Sequence, residues 1–398
     1  MAAFLKTDRH RRPVGSFLVK YSMFVKISID GRKTMRVIVM GAGIIGSSVA
    51  YEAAKAGAQV TVLEAGKIAG GASATSFAWT NATGKRPQSY FALNVAGMRA
   101  HLDLAREFGN APWFKQTGSL EWYSKPEDWP AQQENAVQMQ DWGYGVEWIS
   151  KSRLKELEPE IDHRAIGDSP IVYYPEEGWV DPVLYSAWLL RAAKEKWDVT
   201  VHAFCGVTSV DVRDGTAKAV RTADGSVYEA DVIINCTGSW ADRILDGVPP
   251  IPMASTVGVL GFTLPVAATL QRQFHMDDLD VRPDGAGRLM IHKISVDSLV
   301  PELKELDPHG HEAGLLLAAL RHVLPSVQAH DFESIRTTMR PIPSDRLTCS
   351  GWVPGVGGYY VAVTHSGVTI APYLGKAIAD EVVRGRAHDS LAEFRPDR

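Results

Sequence analysis

The sequence predicts an α/β protein that begins with a Rossmann-like βαβ unit, the unit that binds a dinucleotide. Three observations predict it: a β-branched run followed at once by a G-x-G-x-x-G turn, a stretch of helical periodicity, and a second β-branched run ending in an acid. The composition agrees, because 45% of the 398 residues are hydrophobic and 22% are charged, as in an ordinary globular chain.

The βαβ unit starts directly after Met35. It comprises a strand at 36–40, a glycine turn at 41–46, a helix at 47–57 and a strand at 59–63. Gly41 permits the tight turn, Gly43 lets the backbone approach a pyrophosphate, and Gly46 lets the helix pack closely on the strand. Glu64 follows the second strand, where an acid accepts the ribose hydroxyls. The unit therefore predicts a dinucleotide with a free 2′-hydroxyl, either NAD or FAD, rather than NADP.

A second dinucleotide unit is missing from the sequence. The glycines at 355–358 are followed by a strand, Tyr359 to Val363, instead of a helix. If the single dinucleotide is FAD, nicotinamide has no site of its own. Reducing equivalents would then come directly from a small substrate.

Charge and cysteine content exclude several classes of protein. The formal net charge of −4 argues against a nucleic-acid partner, since such proteins carry an excess of basic residues. Three cysteines without a C-x-x-C spacing predict neither a disulfide framework nor a thiolate metal site, and they favour the reducing cytoplasm. No metal site is predicted elsewhere.

Two long uncharged runs, Val248–Gln271 and Leu347–Gly375, are interrupted by prolines and glycines. A membrane-spanning helix must satisfy its own backbone hydrogen bonds over about 20 residues, so these runs predict buried strands and loops and no membrane span.

Residues 1–34 are basic and lack the order of a signal peptide, and we expect them to form a flexible N-terminal extension.

Later segments add further elements. A helical stripe extends from Pro87 to Phe108, and the strand Asp231–Gly238 ends in Thr-Gly. The tail consists of the strand from Tyr359, a turn at His365-Ser-Gly, and a helix that continues to about Gly385.

Taken together, these blocks resemble the flavin-dependent amine and amino-acid oxidase family, which includes D-amino-acid oxidase, glycine oxidase and sarcosine oxidase. The blocks that carry the resemblance are the βαβ unit with Glu64, the Gly70–Asn81 loop, the Tyr174–Pro182 segment, the Asp231–Trp240 strand, Arg340-Pro341 with Asp345, and the His365–Gly367 tail. They cover Met35 to about Arg386 in family order.

The resemblance implies a Rossmann-like FAD-binding domain interleaved with an α+β substrate domain built on an antiparallel sheet. The FAD domain would comprise residues 35–112, 178–248 and 336–398, and the substrate domain 113–177 and 249–335. The inserts are rich in aromatic residues, among them Trp113, Trp122 and Trp148.

The resemblance also implies which residues bind FAD. They are Gly41, Gly43, Ile44, Ile45, Gly46, Glu64, Ala65, Ser73, Thr80, Asn81, Val207, Thr237, Gly238, Trp240, Ser366, Gly367, Val368 and Thr369. Some relatives attach FAD through a Cys beside the Arg-Pro pair or a His in the loop before Trp79. This chain has neither, so we expect non-covalent FAD.

The implied reaction is oxidation of the C–N bond of a small amine or amino acid (a D-amino acid, glycine or a sarcosine-like compound) by hydride transfer to flavin. Arg340 matches the family's carboxylate-binding arginine, and a guanidinium suits a carboxylate because it binds in a bidentate manner. His365 is expected to touch the flavin or the substrate. Lys85 and Arg86 are second candidates for binding an anionic substrate group, although a solvated pair is the expected arrangement. Candidates on later strands, among which the sequence does not distinguish, are His275, Arg282, Arg288, His292 and Lys293.

Two alternatives remain open at this point. The protein could be an NAD-dependent dehydrogenase that uses the same βαβ unit, or a flavin-binding subunit of a hetero-oligomeric amine dehydrogenase. In the second case the tryptophan-rich insert would be an exposed interface. The electron acceptor, oxygen or another partner, and the oligomeric state are also open.

Overall fold

Four β-sheets and nine α-helices are found in the residues that the computed structural model describes, which are 34–109, 111–243 and 246–398. The segment from Met35 to Arg398 packs as one compact unit. The predicted extension at residues 1–34 lies outside the described residues except for Thr34. The division of the chain into two interleaved domains stays a prediction.

Helices and strands are interspersed up to residue 197, after which nine strands follow one another before the next α-helix. The helices are α1 (Ile44–Lys55), α2 (Gln88–Phe108), α3 (Trp129–Asp141), α4 (Lys151–Leu157), α5 (His163–Ile166), α6 (Pro182–Trp197), α7 (Ile294–Asp297), α8 (His311–Val323) and α9 (Gly367–Val382). The strands are β1 (Arg36–Met40), β2 (Gln59–Leu63), β3 (Trp79–Thr80), β4 (Phe114–Lys115), β5 (Ser119–Trp122), β6 (Glu147–Ile149), β7 (Ile171–Tyr174), β8 (Gly178–Val180), β9 (Thr200–His202), β10 (Val207–Arg213), β11 (Thr216–Thr222), β12 (Val227–Glu229), β13 (Val232–Asn235), β14 (Val257–Thr263), β15 (Gln273–Met276), β16 (Leu279–Pro283), β17 (Leu289–Lys293), β18 (Phe332–Met339), β19 (Cys349–Trp352) and β20 (Tyr359–Val363).

The first sheet has six strands in the order β19-β20-β13-β1-β2-β9. All of its pairs are parallel except β19–β20, and β1 pairs with β2 from Arg36–Gln59 to Met40–Leu63. Its central strands are almost wholly apolar and buried, as expected for a parallel sheet covered on both faces. Helix α1 packs against both α6 and α9 over this sheet.

The second sheet has eight strands in the order β18-β14-β17-β16-β15-β5-β7-β6. The antiparallel sheet predicted here is confirmed with one difference, because β15 pairs with β5 in parallel. The two strands are separated by about 150 residues of chain, which is ample for the crossover that a parallel pair requires. The strands β16 and β17 form a hairpin in which Asp280 lies opposite His292.

Two small sheets complete the molecule. One is the antiparallel meander β10-β11-β12, and the other is β3-β8-β4, which ties the loop before α2 to the segment before α6. In β3–β8, Trp79 pairs with Trp179.

The ends of two predicted helices differ from the structure. Helix α1 begins at Ile44 rather than residue 47, since Gly43 is already its N-terminal cap, and it ends at Lys55 because Gly57 has a φ of +100°. Helix α9 ends at Val382, three residues before Gly385. Among the described residues, no helix combines the length and apolar character that crossing a membrane requires.

The alternative in which the tryptophan-rich insert is an exposed interface does not hold for two of its tryptophans. Trp113 and Trp122 are fully buried, and Trp122 packs against Phe274 with their ring centroids 5.2 Å apart. The insert supplies β5, which lies inside the eight-stranded sheet, so its aromatic side chains form core. Trp148, on the edge strand β6, is exposed.

Candidate active site

A cleft of about 590 Å³ opens at the carboxyl ends of the parallel strands β1, β2 and β13. This end of a doubly wound sheet is where such folds bind ligands. Thirteen of the predicted cofactor residues line it: Gly41, Gly43, Ile44, Ile45, Glu64, Ala65, Ser73, Val207, Thr237, Gly238, Trp240, Gly367 and Val368. Most of the predicted set therefore surrounds one cleft.

The glycine turn has the close packing that its sequence predicts. Gly41 has a φ of +96°, and a Cβ there would lie 2.6 Å from the carbonyl oxygen of Cys236. A Cβ on Gly46 would lie 2.0 Å from the carbonyl oxygen of Gly41. Gly46 does not line the cleft. A glycine is needed at this position because it allows α1 to approach the turn closely.

Glu64 is held at the end of β2 by backbone donors. The Ala42 and Gly66 N–H groups each donate to its carboxylate at 2.7 Å. Ser73 accepts a hydrogen bond from the Ile44 N–H at 3.0 Å, which ties the following loop to the start of α1. The fixed carboxylate suits ribose hydroxyls and would repel a 2′-phosphate. The cleft thus fits an NAD- or FAD-type dinucleotide.

A second cavity, of about 230 Å³, adjoins the cleft. Its lining includes Phe77, Trp79, Lys85, Leu260, Asp280, His292, Arg340, Asn81, Ser366 and Thr369. Pro341, His365 and Val368 line both spaces. Thr80, also predicted to bind the cofactor, is buried and lines neither of them.

The start of α9 is tied to β3 beside this cavity. Thr369 donates from its Oγ1 to the Trp79 carbonyl at 3.1 Å and accepts from the Asn81 N–H at 3.3 Å. The N-terminus of α9, a positive dipole end, therefore has a fixed position where the two spaces meet.

Arg340 lies in the wall of the second cavity, just after β18. Its Nε and Nη2 donate to Thr256 Oγ1 at 3.1 and 2.8 Å, and its Nη1 lies 3.0 Å from a carboxylate oxygen of Asp297. A guanidinium carries five N–H donors, more than these contacts use. Arg340 is thus both part of an ion pair and able to donate into the cavity.

A chain of imidazoles and carboxylates continues from that ion pair. His292 lies between two acids, with Nε2 2.9 Å from Asp297 and Nδ1 2.7 Å from Asp280. Asp280 also contacts His275 Nδ1 at 2.5 Å. Burial disfavours the charged form of His292, but the hydrogen bonds and charges of the two carboxylates outweigh it and raise the pKa of His292 to about 9. His292 is therefore an imidazolium at neutral pH.

His365 has the opposite electrostatic environment. Its side chain is exposed to the cleft, but the surrounding protein still disfavours the charged form, and this is the largest influence on its pKa. The charges of Lys85, Arg340, Arg346 and His292 add to it, and together they lower the pKa of His365 to about 4. The neutral imidazole projects into the space shared by the cleft and the cavity.

The expected solvated pair at Lys85 and Arg86 is wrong for its first member. Lys85 lines the second cavity, while Arg86 is exposed with its guanidinium 5.5 Å from the centroid of the Trp142 ring. The cause is the adjacent turn between β3 and α2, which directs the two side chains to different environments.

Several acids of this region carry no signal in the sequence. Asp280 contacts His292 because β16 pairs with β17, and Asp297 contacts it from α7. Glu177 accepts hydrogen bonds from residues of four different segments. Of the five candidates on later strands, His292 lines the cavity, whereas His275, Arg282, Arg288 and Lys293 do not. Within the described ranges, no cluster of three or more His, Cys, Asp or Glu side chains is suited to a metal ion.

The fold and the glycine turn define a dinucleotide-binding protein with a small, charged cavity beside the dinucleotide cleft. Residues 36–381 match the model of the family described as DAO, FAD dependent oxidoreductase. The chain belongs to this family, and its dinucleotide is therefore FAD. This result removes the NAD-dependent alternative.

Individual relatives are distant but cover almost the whole chain. The glycine oxidase of Geobacillus kaustophilus is 23% identical over 372 residues, covering 90% of this chain and 95% of that protein. The glycine oxidase of Bacillus licheniformis is 25% identical over 364 residues, covering 88% and 94%. The crystal structure of the Geobacillus kaustophilus enzyme aligns with a TM-score of 0.80 at 22% identity, covering 92% and 99% of the two chains, and so shares the fold.

Proposed function

We propose that this protein oxidises the C–N bond of a small amine or amino acid, giving an imine that water hydrolyses to a carbonyl compound and an amine. The observation that carries the proposal is Arg340, which faces a small cavity directly adjoining the dinucleotide cleft. The relatives named glycine oxidase support an amino-acid substrate.

Arg340 would bind the substrate carboxylate, because a guanidinium held by Asp297 and Thr256 is already oriented and keeps free donors. FAD, when bound, supplies the acceptor for the hydride from the substrate carbon. Cation-rich surroundings disfavour a substrate ammonium and so favour the neutral amine that the reaction needs.

His365 would serve as a neutral polar group at the junction, since its lowered pKa keeps it uncharged across the neutral range. The N–H groups at the start of α9 would stabilise negative charge that develops on the cofactor beside them.

The test is anaerobic mixing of the holoprotein with a panel of glycine, sarcosine, D- and L-amino acids and N-methyl amines. Loss of the flavin absorbance band with a panel member, and none with NADH, is the expected result. Bleaching by NADH alone would contradict the proposal.

The assignment of Arg340 has a test of its own. Arg340→Met is expected to raise KM for carboxylate substrates by about 30-fold or more, because losing one partner of a buried charged contact costs on the order of 2–5 kcal/mol. The matched control is Arg336→Met on β18, where the guanidinium stacks on the Phe262 ring at 4.1 Å from its centroid and is not part of the cavity lining. An unchanged KM in Arg340→Met would refute the role.

We further propose that FAD is bound non-covalently and that the protein works in the cytoplasm with a small amine as substrate and no nucleic-acid partner. Acid precipitation should release the flavin into the supernatant, and flavin retained in the pellet would contradict the first point.

A role only as a subunit of a hetero-oligomeric dehydrogenase stays the second candidate. Turnover by the isolated chain in the panel assay, combined with size-exclusion chromatography, would exclude it.

A further inference from the structure

Lys85 and Arg340 are two cations that come from different parts of the fold to one cavity. Lys85 lies between β3 and α2, and Arg340 follows β18, yet both line the same space of about 230 Å³. Both charges also act on the His365 imidazole, which lies within electrostatic range of each. A small molecule in this cavity can therefore be near both cations.

The two cations differ in how they are compensated. Arg340 forms an ion pair with Asp297 at 3.0 Å. None of the ion pairs among residues 34–109, 111–243 and 246–398 includes Lys85, and the acid that acts on it, Glu177, does so through space. An ammonium removed from bulk water without a contact partner is costly, and an anionic ligand would relieve that cost.

Glu177 is already saturated by other donors. Its carboxylate is fully buried and accepts from Trp79 Nε1 at 2.8 Å, Thr83 Oγ1 at 2.5 Å, Ser119 Oγ at 2.5 Å and the Tyr144 hydroxyl at 2.8 Å. These four contacts fix the carboxylate in place. It balances part of the Lys85 charge from a distance and leaves the ammonium free to make a contact in the cavity.

The charged groups that line the cavity are unequal in sign. Lys85, Arg340 and the His292 imidazolium line the cavity together with one acid, Asp280, whose oxygens contact His292 and His275. Asp297, outside the lining, pairs with both Arg340 and His292, so Lys85 is the lining cation that has no carboxylate in contact with it among the described residues. An amino acid with a single carboxylate can satisfy Arg340 but leaves Lys85 without a partner.

We propose that the substrate is a small amine bearing two carboxylates, and that Lys85 binds the second carboxylate while Arg340 binds the first. This inference rests on the proposed amine oxidation and names its substrate class. Lys85 is then a specificity-determining residue, which selects the dianionic substrate over one with a single carboxylate.

The first test measures binding without turnover. Malonate and succinate, against acetate and propionate, are titrated into the holoprotein while the absorbance of the bound flavin is followed. The dicarboxylates should bind about 10- to 100-fold more tightly, the range for a hydrogen-bonded contact with a charged group. Lys85→Met should remove this preference, Lys85→Arg should retain most of it, and Arg86→Met, which removes a neighbouring charge outside the cavity, should leave it unchanged.

The second test uses sarcosine and iminodiacetate, which differ only by a second carboxylate. In the wild type kcat/KM should favour iminodiacetate over sarcosine, and Lys85→Met should lower the ratio of the two kcat/KM values about 10-fold or more. Equal binding of mono- and dicarboxylates, or an equal loss for both substrates in Lys85→Met, would overturn the inference while amine oxidation stands. If no amine bleaches the flavin, the proposed function fails, and the binding titration still decides whether Lys85 selects dianions.

Discussion

The charge on His292 should make the stability of this protein depend on pH in a defined direction. Burial lowers the pKa of His292, but the hydrogen bonds that its ring donates to Asp280 and Asp297, at 2.7 and 2.9 Å, and the charges of these carboxylates raise it to about 9 in the folded protein. In an unfolded chain the pKa of a histidine is about 6.5. Because the folded value is the higher one, the stabilisation is complete below pH 6.5 and is lost as the pH rises through 9.

The size of this effect follows from the same difference. A rise from 6.5 to about 9 corresponds to roughly 3 kcal/mol of folding free energy. The variant His292→Gln removes the titrating group and keeps a side chain that can hydrogen-bond. Over the range from pH 6.5 to 9.5, the free energy of unfolding of the wild type should therefore exceed that of the variant most at pH 6.5. This difference should shrink by about 3 kcal/mol by pH 9.5.

The assay is urea unfolding of both holoproteins at pH 6.5, 7.5, 8.5 and 9.5. Titrating groups that lie far from His292 are common to the two chains and cancel in the difference. The control is His330→Gln, which removes an exposed imidazole near Asp331, and a surface pair of this kind should change the difference from wild type by less than about 1 kcal/mol over the same pH range. If the His292→Gln difference is equally independent of pH, the imidazolium between the two acids is not the native state.

Two further substitutions test packing and the ion pair. Gly46→Ala should destabilise the protein by about 3 kcal/mol in thermal unfolding and weaken FAD retention, because the new Cβ would clash with the Gly41 carbonyl oxygen. The control is Gly314→Ala, where nothing lies within 4 Å of the new Cβ. This variant should be neutral or more stable by about 0.5–1 kcal/mol in the same assay. Asp297→Asn should lower the free energy of unfolding by about 3 kcal/mol and raise KM for carboxylate substrates, because it removes the acid paired with Arg340. The control is Asp278→Asn, at a more exposed pair with Lys293, which should lower the free energy of unfolding by less than about 1 kcal/mol. Equal effects within either pair would contradict the reasoning.

The parts of the fold that could be predicted are those encoded locally. The glycines at 41–46 and Glu64 lie within one βαβ unit, so spacing along the chain already fixes their relation in space. Arg340 and the tail at 365–369 required the resemblance, because they reach the cleft from the far end of the chain.

The acids around His292 could not be predicted, because their positions depend on long-range register. Asp280 faces His292 only because β16 and β17 pair with that offset, and Asp297 joins them from α7. Lys85 was misassigned for a related reason. A lysine beside an arginine in a Gly- and Pro-containing loop is usually solvated, and only the closure of the cavity by the second sheet shows otherwise.

The buried carboxylate of Glu177 also has an evolutionary consequence. It is shared by a tryptophan, a threonine, a serine and a tyrosine that are far apart in the chain. Replacing the acid would leave four buried donors without an acceptor at once. Replacing a donor would remove one hydrogen bond to a buried carboxylate, and water does not reach this position to take the place of that donor. The five positions are therefore expected to diverge together, so that a descendant with a different residue at 177 would need compensating replacements at most of the others.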